Sequence, residues 1–330
     1  MINFNKINAK IWSKLGSRGA FGVAMLELGK DFEKVVALTS DLCNTSGLDR
    51  FSKAYPERFF NIGIAEQNMT GIAAGLSSQN FTVFTTTFSN FSALRSCEQI
   101  RHFLGYMKSN VKIVGLAAGF AMGMFGNTHY GVEDIAVMRS IPNMTVLSPA
   151  DSTEVIKTVI AAAQIDGPVY IRLTGAMNNP IVYSDNYQFD VGKAIKLREG
   201  KDVTIIATGT MVYQSLEAAA LLEESGVSTC VIDMHTIKPF DTLAIDQACD
   251  QSKLVITVEE HSVVGGLGSA VAEYKSKLKN SPPQLIIGAE DLFRRAGDYK
   301  YMLEQNGLTS DQIADKIIKT LINRRNNNVF

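Results

Sequence analysis

The stretch FFNIGIAEQNMTGIAAGL, residues Phe59 to Leu76, changes period partway along. Phe60, Ile62 and Ile64 alternate with smaller or polar residues, the pattern of a half-buried strand. From Gln67 onward small and apolar residues recur at helical spacing, with Gly71 and Gly75 one turn apart. A strand that runs straight into a helix is the building unit of an α/β sheet. At the join stands Glu66. As the first acid of a helix it would interact favourably with the helix dipole. Gly63 and Ala65, however, leave little side chain to cover it, and the segment is too apolar to be a solvated face. A carboxylate placed there needs a partner, or its pKa rises. A raised pKa suits a group that shares a proton with a weakly basic ring nitrogen.

Working outward, strand-like runs alternate with helix-like runs. Strands are expected at 35–39, 59–64, 82–86, 111–116, 144–147 and 169–173, then at 203–207, 228–233, 254–258 and 284–287. Helices are expected near 211–225, 241–250, 266–279 and 311–324. The fold class is α/β, with two doubly wound domains built on largely parallel sheets. Periodicity lapses between Asn178 and Gly192, where Pro, Asn, Tyr and Asp cluster. This divides the chain into residues 1–183 and 192–330. The asparagine run Asn326–Asn328 reads as a frayed end.

Composition narrows the function. At 330 residues the length favours two domains, and Lys plus Arg (32) nearly balances Asp plus Glu (33), which suggests no nucleic-acid partner. The longest apolar run, Val111 to Phe125, contains Lys112 and several glycines and is too short to span a bilayer. Lys6, Lys10 and Lys14 are not followed by a long apolar region, so no signal peptide is apparent. Cys43, Cys97, Cys230 and Cys249 form no CxxC pair and read as reduced thiols of a cytoplasmic protein.

The next informative stretch is FTVFTTTFSNFSALRSCEQIRH, residues 81–102. Phe84 reads as core. Phe88 and Phe91 lie at a strand-to-helix turn, where rings can stand against a planar heterocycle. With GIAEQNMTGIAAGL, TFSNF, NTHYG, DMHTIKPFD and EEHSVVGGLGSAVAE in order, the chain closely resembles the transketolase family. The resemblance is to its C-terminal half, the pyrimidine-binding domain of a thiamine-diphosphate enzyme followed by the transketolase C-terminal domain. It runs from about Arg18 to the last helix.

The resemblance implies thiamine diphosphate as cofactor. In the family, the glutamate matching Glu66 hydrogen-bonds N1′ of the aminopyrimidine and favours the imino tautomer, which removes the thiazolium C2 proton. Phe88 and Phe91 match the aromatics that pack on the pyrimidine, and Leu94 stands where the family has a third. Asp41, in TSDLCNTSG, matches an aspartate near the cofactor and the subunit contact. Such enzymes hold Mg²⁺ and diphosphate through a GDG motif, which this chain lacks. GGLGSAV does not replace it, because it lacks the third glycine of a dinucleotide fingerprint. The expectation is one subunit of a split enzyme, with no metal ligand of its own. A separate N-terminal diphosphate-binding subunit would carry Mg²⁺ (or Ca²⁺), and the whole would be an α2β2 heterotetramer.

On the substrate side, Arg18 and Arg172 match arginines that contact substrate phosphate in the family. His129, in NTHYG, matches a histidine near the reacting carbon. The same loop departs from the family pattern. Gly123-Met124-Phe125-Gly126 replaces Gly-Glu-Asp-Gly, so Phe125 stands where an aspartate bonds a sugar hydroxyl, and another family histidine falls near Ala117. An apolar site rewards the absence of that hydroxyl. The expected reaction is transfer of a two-carbon ketol unit between sugars or sugar phosphates, modified or deoxy sugars among them. A 1-deoxyxylulose-phosphate-synthase-like enzyme, a 2-oxo acid dehydrogenase β-like subunit and a non-catalytic scaffold are the alternatives. His235 and His261 are expected to be structural, with His261 or Glu259 placed to cap a subunit interface. Arg95, Glu98 and Arg101 form a charged helical row, with Arg95 close enough to Phe91 to reach the cofactor pocket.

Overall fold

The computed structural model describes residues 2–326, with side chains through Arg324, so the asparagine run lies largely outside the described residues. Among the described residues, twelve strands form two sheets. In chain order they are β1 (Val35–Thr39), β2 (Phe59–Asn61), β3 (Thr82–Phe88), β4 (Val111–Ala118), β5 (Thr145–Leu147), β6 (Val169–Thr174), β7 (Ile195–Arg198), β8 (Val203–Ala207), β9 (Thr229–Asp233), β10 (Thr236–Lys238), β11 (Leu254–Ser262) and β12 (Gln284–Ala289). The first sheet runs β10-β5-β6-β4-β3-β1-β2 and the second β12-β11-β8-β9-β7. Pairing is parallel except at β10–β5 and β7–β9. The α/β architecture with two largely parallel sheets is therefore as expected. The short β7 and β10 are additions, and β2 ends three residues before the apolar alternation does.

Parallel sheets bury both faces, and the apolar runs reflect this. β1, β4, β6, β8 and β9 are buried throughout their lengths. One face of the first sheet is covered by helix Lys6–Asp31, which packs on helix Ser152–Gln164. Asn5 caps the long helix by accepting from the amides of Ile7 and Asn8. The helix breaks at Gly16, at φ 71°, where a Cβ would lie 2.6 Å from the Ala176 carbonyl.

The passage between the sheets is pinned rather than loose. Asp151 accepts from the amides of Val182 and Tyr183, both at 2.8 Å. The Tyr183 and Tyr187 rings stack at 3.9 Å. Their hydroxyls donate to Asp233 (2.7 Å) and Glu154 (3.0 Å). β10 lies beyond residue 192 yet pairs with β5, so a segment of the second half completes the first sheet.

Candidate active site

The order β3-β1-β2 makes β1 and β3 the place where successive connections diverge. Ligands of open α/β sheets bind outside the carboxyl ends of strands at such a point. Asp41 follows β1, Glu66 follows β2 and Phe88 ends β3.

Glu66 opens helix Glu66–Ser77. Its side chain is only 3% exposed, although it borders an open pocket lined by Ile64, Ala65, Gln67, Asn68 and Arg95. The partner that such a carboxylate requires is Arg95, whose Nη1 donates to Oε1 at 2.7 Å. Thr87 Oγ1 lies 3.5 Å from the same oxygen. The Arg95 guanidinium also stands over the Phe91 ring, 4.1 Å from its centroid. Gln67 ties the two helices together by donating to the Arg95 carbonyl. Residues 91–95 form a wide, π-type turn, a distortion common at functional sites.

Phe88, Phe91, Phe125 and His129 form one aromatic group. The Phe88 and Phe91 centroids are 5.7 Å apart at 76°, an edge arrangement rather than a parallel stack. His129 lies 6.0 Å from Phe88, 5.6 Å from Phe91 and 5.2 Å from Phe125. Asn90 fixes the loop by donating to the Thr128 carbonyl, and Thr128 Oγ1 sits 2.9 Å from His129 Nδ1. Met124 and Phe125 are 75% and 62% exposed. Leu94 is also exposed. Asp41 is held by Asn61, which donates to its carboxylate (3.0 Å) and accepts from its amide (3.1 Å).

The two expected phosphate arginines part company. Arg18 is half-buried in helix Lys6–Asp31, and its carbonyl abuts Gly47 in the segment after β1. It has no ion pair among the described residues, and burial holds its pKa below the ordinary guanidinium value. Arg172 is held in the interior. It is wholly buried in β6, where Nε donates to Asp134 Oδ2 at 2.9 Å and Nη2 to the Glu260 carbonyl at 2.8 Å. Nη2 also lies 3.4 Å from the Gly131 carbonyl, two residues beyond His129.

In the second half, His235, His261 and Glu259 are all buried. His235 is buried 4.3 Å from the Phe189 ring, and burial pulls its pKa down to about 4. His261 Nδ1 donates to the Ser262 carbonyl while Nε2 accepts from the Ala136 amide. Glu259 accepts from the amides of Leu267 (2.7 Å) and Gly268 (2.8 Å), so the glycine-rich helix start is satisfied by the chain's own carboxylate. Among the described residues no group of three or more His, Cys, Asp and Glu side chains could hold a metal ion.

Asn90 and Asn61 were not among the expected site residues, whereas Arg95 was expected only to reach the cofactor pocket, not to pair with Glu66. For Arg95 the signal was present: a four-residue spacing from Phe91 places it over that ring on a helix.

Residues 13–178 match the family model for the transketolase pyrimidine-binding domain, and residues 192–313 match that for the transketolase C-terminal domain. A putative transketolase C-terminal section from Methanocaldococcus jannaschii is 41% identical, over 93% of this chain and 96% of its own length. A 6-deoxy-6-sulfo-D-fructose transketolase subunit from a Clostridium species is also 41% identical, over 88% of this chain and 89% of its own. Among solved structures, a split-gene transketolase described as an inactive β4 tetramer superposes with a TM-score of 0.84 at 43% identity, covering 93% of this chain and 98% of that one.

Proposed function

The chain belongs to the transketolase family, and on that footing we propose that it is the C-terminal subunit of a two-chain, thiamine-diphosphate-dependent transketolase. The observation that carries this reading is Glu66: a buried carboxylate that borders an open pocket, one guanidinium away from a cluster of aromatic rings. Its residues fit the aminopyrimidine end of the cofactor. Glu66 would hold a proton between its carboxylate and a ring nitrogen, and Phe88 and Phe91 would enclose the ring. Leu94 and Asp41 would border it. When bound, thiamine diphosphate supplies the carbon nucleophile and electron sink for cleaving and remaking a bond beside a ketone.

The remaining residues face the sugar. His129 would move a proton at the reacting carbon, with Thr128 fixing its ring. Arg18 would take an anionic end of the substrate, which suits a half-buried cation with no acid partner among the described residues. Phe125 and Met124 line the approach with apolar surface. This favours ketoses modified where an ordinary pentose phosphate carries a hydroxyl, in keeping with the sulfo-sugar transketolase subunit among the relatives.

The residues do not fit the diphosphate and its metal. No GDG motif is present, and the glycine-rich helix start already holds Glu259. We therefore assign Mg²⁺ (or Ca²⁺) and the diphosphate to a separate N-terminal subunit, in a cytoplasmic α2β2 assembly. The neighbour described as an inactive β4 tetramer is in keeping with a chain that needs such a partner.

The test is to assay the chain alone, the partner alone and the two mixed, with a ketose donor and an aldose acceptor. Ketol transfer without CO₂ release, seen only in the mixture, is expected. CO₂ release from a 2-oxo acid would point instead to a decarboxylating thiamine enzyme. Full turnover by this chain alone would refute the split.

A further inference from the structure

Arg95 occupies both surfaces that the cofactor ring would use. One nitrogen holds the Glu66 carboxylate at 2.7 Å, and the guanidinium plane covers Phe91 at 4.1 Å. Both contacts are of favourable type: a charge-assisted hydrogen bond and a cation–π contact. The arginine also has room to leave, since its side chain is 45% exposed whereas that of Glu66 is 3% exposed. Of the pair, Glu66 is the buried member and Arg95 the exposed one. Besides these two side-chain contacts, Arg95 is tied through its backbone, where its carbonyl accepts from Gln67.

We propose that Arg95 is a gate on the cofactor site: in the free chain it takes the place of the aminopyrimidine, and the cofactor binds only as the guanidinium swings off Glu66 and Phe91. This inference rests on the thiamine reading of Glu66. Its physical content is competition. A ring nitrogen that bonds Oε1 of Glu66 must displace the guanidinium from that oxygen, and two planar groups cannot share one face of Phe91. The gate keeps the buried carboxylate paired in the free chain, which would otherwise carry an uncompensated charge. It also sets a threshold on cofactor binding, because a competing contact must be broken first.

The experiment uses the chain assembled with its diphosphate-binding partner. Thiamine diphosphate is titrated calorimetrically into the wild type and the Arg95→Ala, Arg95→Met and Glu66→Gln variants. Arg95→Ala is expected to bind about tenfold tighter, the scale of one lost charge-assisted contact. Arg95→Met should gain less, because it frees the carboxylate but still covers the ring. It also supplies the reading should the alanine variant not assemble. Unchanged or weaker binding in both variants overturns the gate, since a purely structural arginine would shift thermal stability without tightening the cofactor. If Glu66→Gln weakens cofactor binding while both Arg95 variants stay at the wild-type value, the gate alone is lost. If Glu66→Gln changes neither affinity nor turnover, the thiamine reading of Glu66 falls, and the gate with it.

Discussion

Asp134 and Arg172 meet at 2.9 Å with neither side chain exposed to solvent. Tyr170 donates to the same carboxylate at 2.7 Å, and Arg172 reaches on to the Glu260 carbonyl in the other half of the chain. This network joins β6, helix Asp134–Ser140 and β11, so its first duty is to hold the two halves in place. Arg172→Met or Asp134→Asn removes one partner and leaves the other buried, which typically costs about 3–5 kcal/mol. Denaturant unfolding of each variant checks this. A loss below about 1 kcal/mol, with an altered KM for sugar phosphate, would restore Arg172 to the substrate side.

Glu66→Ala and Glu66→Gln should lower turnover of the assembled enzyme by at least about a hundredfold, the lower end for a positioned proton-transfer group. Circular dichroism should stay native, because Glu66 stands at a helix start and Ala and Gln are good helix formers. Turnover within a few fold of wild type would return Glu66 to the role of a helix-dipole acid and favour a non-catalytic subunit.

Phe125 is the residue to exchange for specificity. Phe125→Asp places a carboxylate in the loop Gly123–Thr128, on the rim of the aromatic group. The ratio of kcat/KM for xylulose 5-phosphate to that for a deoxy or sulfo ketose should rise about tenfold or more, because a site able to bond a hydroxyl selects for it. A ratio that does not move would separate Phe125 from substrate choice.

The junction between the halves should weaken as pH rises. Burial pushes Asp233 up to about 7 and Glu154 well above the ordinary carboxylate range. Asp151, Tyr183, Tyr187 and, from the rim, Lys157 surround them. A carboxyl whose folded pKa exceeds its unfolded value of about 4 contributes fully below that value, and the contribution is lost as pH climbs through about 7. Stability should therefore fall between about pH 4 and pH 7, and Asp233→Asn should flatten that slope. Lys112 works the other way in a separate window. Burial pulls its pKa down to about 7, so its contribution to stability recovers from pH 7 upward toward about 10. Melting temperatures across this range, with and without the asparagine, decide the matter; identical slopes would dismiss the Asp233 term.

Much of this fold is legible because parallel strands buried on both faces must be near-continuous apolar runs, as VVALT and VTIIA are. β7 and β10 escape because they are short and carry lysines, and only their neighbours make them strands. At the site, Glu66, Phe88, Phe91 and His129 stand out because their motifs are local. Arg172 is less legible: sequence sets it beside an apolar strand but does not reveal its pairing with Asp134, 38 residues away. Arg95 falls between the two cases. Its spacing from Phe91 is local, whereas its hold on Glu66 spans 29 residues and exists only once β2 and β3 flank β1.

The pairing of β10 with β5 bears on how this polypeptide can be divided. A fragment ending near residue 183 would keep six strands of the first sheet and present β5 as a bare ladder edge, the kind of surface on which chains associate edge to edge. A fragment starting near residue 192 would carry Thr236–Lys238 with nothing to pair against. The two family-defined domains are thus poor modules for shuffling or separate expression: the seam between them runs through a sheet, not through a linker.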